Sequence, residues 1–431
     1  MSNLFQEFAA NEVTDWKKLT VKELKGKDIF DLSLWLESDG FEVKPAYFRE
    51  ETEKLPMYGQ TIRPLRFNQK NNGWLVSTGV TIEDIEEANI EMLRKIGYGA
   101  SAVTLDLNGR DFARDEIGML LKGVQLDKIA ISFCNAANPL RFQADYFEWL
   151  EKKGIEKSKA KGGFWFDELN ADLALAMLVD DDHHSFGSLG LNGALFEMRG
   201  ANIPQQLGAI LAWGNELVNG LRKQGVSFEQ ISNNIGFSLG IGPSFLPELA
   251  KFRLIRFLWA RIMQQHGAST KRWKTWVHAQ TGVRHLSKSD TPVNLLRENA
   301  QAMSAVLAGV DSLTLIPFRK DEPELAERLT IGTQHVMREE ARLDCVIDPS
   351  AGSYHVEHLT DIIGTKAWDF FKEIEDLGGY SMCNNNGFLD DEFATVDAAY
   401  NAEIERLERI RVGTNQFPSP FEESNDKVEV E

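Results

Sequence analysis

From Trp74 onward the chain alternates short apolar or β-branched runs with longer stretches of helical period. The runs are WLVSTGV from Trp74, SAVTLDL from Ser101, DKIAISF from Asp127 and GGFWFDE from Gly162, then SFGSLGL from Ser185, NIGFSLGIG from Asn234, KTWVHAQTG from Lys274 and DSLTLIPF from Asp311. Each has the length and residue types of a strand. The stretches between them carry helix start and stop signals. After the first run, Thr81 caps a helix with Asp84 three residues on. Its apolar face is Ile82, Ile85, Met92, Leu93 and Ile96, and Gly97 ends it. After the seventh run, Thr291 caps and Pro292 takes the first helical position. Leu295, Leu296, Met303, Val306 and Leu307 then face inward, and Gly309 stops the helix.

Strands that alternate with helices predict a parallel sheet, because parallel neighbours need crossover connections. Eight such repeats, from Trp74 to Phe318, occupy the roughly 250 residues typical of a closed barrel. The expected fold class is therefore α/β, a (β/α)₈ TIM barrel. A doubly wound open sheet is the rival, but its glycine-rich phosphate turn is missing. Residues 1–70 show no sustained period and read as an N-terminal arm that contacts another subunit. Residues 71–345 form the barrel and its last helix, Glu324 to Arg342. Residues 346–431 form a helical extension with helices from Thr360 to Leu377 and Thr395 to Arg411, a turn at Asn384 to Gly387, and an acidic Pro/Ser-rich tail. That tail has the composition of a disordered segment.

Charge narrows the partners. The formal net charge of −18 repels polyanions, which argues against nucleic acid. The richest basic stretch, Lys251 to Lys274, reads as an amphipathic helix with a solvated basic face; a small-anion patch is the alternative. No apolar run is long enough to cross a bilayer, and the N-terminus lacks a basic segment followed by an apolar one, so the expectation is a cytoplasmic protein with no membrane partner. Cys134, Cys345 and Cys383 are too scattered for a zinc or disulfide framework and read as buried free thiols.

Asp182, His184 and Gly187 fit D-x-H-x-x-G, the pattern that supplies a cobalt-ligating histidine in adenosylcobalamin enzymes. Here it falls at the amino end of the fifth run, whereas barrels place chemistry at the carboxyl ends of strands. No Gly-Gly follows at a suitable distance. The reading is a polar turn. Asp182, His183, His184, His278 and His285 do not converge as a metal site would, so no metal is expected. There is no nucleophile elbow and no Cys/His pair in a barrel-end position.

Several stretches together resemble the methylmalonyl-CoA mutase family. FLPELAKFRLIRFLWARI (Phe245 to Ile262) is similar to the helix after the family's sixth strand, and WVHAQTGV from Trp276 to its seventh strand. DPSAGSYHVEHLT from Asp348 resembles the segment after its barrel, ERIRVGTNQFP from Glu408 the exit toward its cobalamin domain, and GFEVKPAYFREE its N-terminal arm. The family isomerises methylmalonyl-CoA and succinyl-CoA by radical chemistry, with adenosylcobalamin between the barrel and a separate cobalamin domain. The resemblance implies that this chain stops before that domain and binds no cofactor alone. The adenosylcobalamin would belong to a partner large subunit.

The departures from the family set the functional expectation. Where catalytic chains read G-Y-H-M-Q-E-A-G-A, with a histidine that donates to the thioester carbonyl, this chain reads GALFEMRGA and has Leu195. Leucine donates no hydrogen bond. Where they carry an asparagine and a glutamate after the eighth strand, this chain has Ile316 and Lys320. His278 and Gln280 keep the family's identity. The pattern resembles the family's small subunit: a chain inactive by itself that pairs with a large subunit as a heterodimer. The arm would help through Phe5, Phe8, Trp16, Phe30, Leu34 and Trp35, unless these pack on the chain's own barrel. Small polar residues line an axial tunnel for the pantetheine arm in this family. Ser77, Thr104, Ser132, Ser188, Ser238 and Thr314, with His278 and Gln280, are the candidates for a residual tunnel that binds acyl-CoA; the alternative is that the hydroxyls bond to nearby backbone. Two other functions stay open: an active mutase half completed by a separate cobalamin-binding protein, and a stand-alone acyl-CoA-binding barrel.

Overall fold

The computed structural model describes residues 12–31, 35–178, 186–288 and 290–418. Eight parallel strands close into a barrel in chain order. They are β1 Leu75–Thr81, β2 Ala102–Asp106, β3 Ala130–Cys134, β4 Gly162–Phe166, β5 Phe186–Asn192, β6 Ile235–Ile241, β7 Trp276–Thr281 and β8 Ser312–Thr314. The open-sheet rival is excluded by the β8–β1 pairing, which sets Ser77 opposite Thr314.

Alternation along each strand divides its residues between two faces. Val103, Leu105, Ile131, Phe133, Leu189, Phe237, Leu239, Val277 and Leu313 belong to the face that packs on the helices, and all are buried. The other face is small and polar. Thr104 pairs with Ser132, Ser132 with Gly163, Ser238 with His278, and His278 with Ser312. Most barrels fill this inner face with Val, Ile and Leu.

Two helix signals shift against expectation. Thr81 ends β1, and Asp84 is the cap of helix Ile85–Gly97, its carboxylate accepting from the backbone N–H of Glu86 and Glu87. Helix Thr291–Leu307 is capped by Asp290 in the left-handed region, so Thr291 and Pro292 are its first two residues. Its inner face is Asn294, Glu298, Gln301, Ala302, Ala305 and Val306, whereas Leu296 is 67% exposed. The extension's helices run Tyr354–Asp376 and Phe388–Glu405, each starting before the expected point.

The basic stretch is corrected most sharply. Helix Phe245–Gln265 is wedged between the barrel and helix Tyr354–Asp376; its Lys251, Arg253 and Arg256 are buried, while Arg261 is exposed. Lys251 donates to Gly240 O and Gln206 Oε1 and pairs with Glu248. Arg253 holds Asp348, Thr360 and Gln60 O, and Arg256 holds Asp311, Thr275 O and Gly309 O. Such burial is tolerable only because every cation is paired and hydrogen-bonded. Of the expected basic face, Arg261 and Lys271 stay exposed, whereas Lys251, Arg253 and Arg256 are turned inward.

In the arm, Trp16, Phe30 and Phe48 pack edge-on and tilted against one another, and Trp35 packs on Phe41 at the edge of the main core. Of the thiols only Cys383 is fully buried; Cys345 is exposed. No helix among the described residues is long and apolar enough to cross a membrane. Phe5, Phe8, Leu34, Asp182, His183, His184 and the tail from residue 419 lie outside the described residues.

Candidate functional site

The small inner face leaves a cavity of about 360 Å³ along the barrel axis. Ser77, Thr104, Ser132 and His278 line it, with Ser312, Trp165 and Trp276. Phe67, Lys161 and Asn233, which precede β1, β4 and β6, also border it, so it reaches the amino end of the strands. Glycines make the room. A Cβ on Gly190 would stand 2.5 Å from Cε3 of Trp165, so only glycine lets that indole lie across the interior. The Trp165 ring meets the His278 imidazole at 5.4 Å between centroids.

Four other tunnel candidates, Ser188, Ser238, Thr314 and Gln280, lie outside the described lining. Ser188 is buried and donates to Asn234 Oδ1 at 2.8 Å. Ser238 and Gln280 share the inner face but sit outside the lining, toward the carboxyl ends of β6 and β7. His278 is fixed by Ser312, with its Nδ1 2.8 Å from the Ser312 hydroxyl, which also accepts from Trp276 Nε1 at 3.2 Å. Burial pushes the His278 pKa down to about 4, so the ring is neutral at pH 7. Sequence reasoning missed Trp165, Trp276 and Ser312; the parity of the strands that carry Ser132 and His278 is the signal that could have found them.

The carboxyl ends of the strands are different in kind. Leu195 lies half-buried in helix Ala194–Met198, directly after β5. Ile316 follows β8, its N–H donating to Thr281 Oγ1, and Lys320 is exposed. Beside them is a cluster the sequence did not announce. Glu197 Oε1 lies 2.7 Å from His285 Nε2, and the Tyr400 hydroxyl lies 3.2 Å from His285 Nδ1. Burial pushes the Glu197 carboxyl up, but the His285 contact and the charges of His285, Arg284 and Lys251 outweigh it and hold the group below the usual carboxylate range. Helix Phe388–Glu405 closes over this side. Its Asp397 accepts from Arg284, its Asp390 from Arg199, and its Phe393 packs on Phe196.

The described imidazoles other than His355 hold hydrogen-bonding partners: His266 has Asn215, His278 has Ser312, His285 has Tyr400, His335 has Gly99 O, and His358 has Thr52. His355 packs against Tyr47. No three His, Cys, Asp or Glu side chains among the described residues form a metal-holding group.

Comparison with known proteins places these features. The methylmalonyl-CoA mutase profile matches residues 172–431. The chain is 31% identical over 450 residues to the methylmalonyl-CoA mutase small subunit of Porphyromonas gingivalis, covering 99% of this chain and 72% of that protein. This chain belongs to the methylmalonyl-CoA mutase family. It is 27% identical to a methylmalonyl-CoA mutase of Rhizobium meliloti, covering 97% of this chain and 66% of that one. To a small subunit from Streptomyces virginiae it is 26% identical, covering 96% and 72%. Thus the chain spans less than two thirds of the Rhizobium relative's length.

Proposed function

We propose that this chain is the non-catalytic small subunit of an adenosylcobalamin-dependent methylmalonyl-CoA mutase, paired with a large subunit that carries the chemistry. Leu195 carries this reading. It stands where the family needs a donor to the substrate carbonyl, and an alkyl group cannot stabilise charge on that oxygen. Ile316 removes a further polar group, and Lys320 puts a cation where the family carries a carboxylate. Helix Phe388–Glu405 then holds the segment around Glu197 in place. Among the described residues no group of His, Cys, Asp or Glu side chains is placed to hold a metal ion.

The axial cavity supports a second element of the role. We assign Ser77, Thr104, Ser132 and His278 as the wall that holds a pantetheine arm, with Lys161 at the rim. The arm residues Trp16 and Phe30, gathered on Phe48, are the proposed contact with the large subunit. Reconstitution tests the role. Adding this chain to a purified large subunit should produce a heterodimer on gel filtration and raise its turnover. Two separate peaks with unchanged turnover would refute the assignment. Titration with CoA esters tests the cavity: binding to the native state must raise the melting temperature, and no rise at millimolar ligand would refute it.

A further inference from the structure

We propose that Ser312 and Trp276 fix His278 as its Nε2–H tautomer, so that the ring presents a neutral hydrogen-bond donor with which the axial cavity recognises a carbonyl oxygen on an extended, uncharged ligand. The inference rests on the reading of the cavity as a ligand site and goes beyond it by naming what does the recognising.

Donor counting carries it. The Trp276 indole can only donate, so at 3.2 Å the Ser312 oxygen must be accepting from it. The Ser312 hydroxyl has one proton to give, and the acceptor described within reach is His278 Nδ1 at 2.8 Å. Were Nδ1 protonated instead, both would donate toward Ser312, and the serine proton would be left buried without a described acceptor. That arrangement also leaves the Nε2 lone pair without a described donor, one more unmet group than the Nε2–H form, whose single unmet group is the Nε2–H that faces the cavity, so it loses. Nδ1 therefore accepts and the ring proton sits on Nε2.

No described residue bonds Nε2, and the ring borders the cavity beside Trp165. The lining supports a neutral ligand. Lys161 is the one charged residue in its described lining, at the amino-end rim, where its ammonium already donates to Asp127 O. A carboxylate carried deep into the cavity would lose its water and meet no counter-charge among the described residues. An amide or thioester carbonyl would lose less and gain the Nε2 donor.

Two measurements test this on the full chain. Long-range ¹⁵N–¹H spectra of histidine-labelled protein at pH 7, without ligand, should show His278 with the Nε2–H pattern, assigned by its loss in His278→Gln. The pattern should broaden or invert in Ser312→Ala. An Nδ1–H ring or an imidazolium in the unsubstituted protein overturns the inference. Pantetheine affinity, followed by tryptophan fluorescence, should fall roughly tenfold in His278→Phe and recover in His278→Gln, whose amide donates from nearly the same place. Pantothenate, the chain cut back before the cysteamine so that it ends in a carboxylate, should bind more weakly than pantetheine. Equal pantetheine binding by the Phe variant overturns the recognition role. Absence of pantetheine binding in the unsubstituted protein would instead refute the ligand reading itself, and the spectra tell the two failures apart.

Discussion

Replacing Glu298 by glutamine should make the protein more stable at high pH and leave it nearly unchanged at low pH. Glu298 lies on the inner face of helix Thr291–Leu307 with no exposed surface, and neither carboxylate oxygen has a described hydrogen-bond partner. Burial alone pushes its pKa from 4.5 up to about 8. Below pH 4.5 the group is protonated in both folded and unfolded chains and contributes nothing. Between 4.5 and 8 the unfolded chain releases the proton while the folded chain keeps it. Stability therefore falls as pH rises, by up to about 1.4 kcal/mol per pH unit. Across that window the loss is on the order of 4–5 kcal/mol, and above pH 8 it stays constant. Glutamine keeps the shape and stays neutral. Gln301, one turn along the same face, has an Oε1 without a described partner that could receive the new amide. Urea unfolding followed by circular dichroism at pH 4, 6, 8 and 9 reads the difference between the two proteins, in which other titrating groups cancel. Parallel pH profiles for Glu298 and Glu298→Gln would show that the carboxylate is ionised and solvated, and would refute the reasoning.

Asp311→Asn should destabilise by about 3–5 kcal/mol, because Asp311 neutralises the buried Arg256 at 2.8 Å and Arg66 at 3.8 Å; a loss under 1 kcal/mol in urea unfolding would contradict the pairing. Gly190→Ala should cost about 1–3 kcal/mol, since the new Cβ meets Phe164 O at 2.4 Å and Trp165. The same change should shift the Trp165 emission; unaltered fluorescence and stability would show the close approach to be absent. In the native protein one thiol should react rapidly with a disulfide reagent, the exposed Cys345. Burial pushes the Cys134 thiol up to about 12, and Cys383 is enclosed, so rapid reaction of either contradicts the structure.

The barrel was legible because its strands segregate their residues so cleanly. Apolar residues at alternate positions packed the helices, and the Ser and Thr between them revealed an unusual inner face. Which hydroxyls line the cavity was less legible, and Ser188 shows why. Between β4 and β5 the register slips: Gly163 faces Gly187 but Trp165 faces Gly190, so an extra β5 residue breaks the parity near Ser188. Asn234 then takes its hydroxyl. The buried cations were illegible for another reason. Lys251, Arg253 and Arg256 look like a solvated stripe until their partners appear, and Asp311 and Asp348 lie far along the chain. The Glu197, His285 and Tyr400 cluster is likewise assembled from three distant segments with no motif between them.

Turnover by this chain without a large subunit tests the central claim most directly. The purified protein would be mixed with adenosylcobalamin, a separate cobalamin-binding protein and methylmalonyl-CoA, and succinyl-CoA followed by chromatography. With Leu195 in place of a hydrogen-bond donor, we expect no product above the protein-free control. Steady formation of succinyl-CoA that depends on this chain would contradict the account.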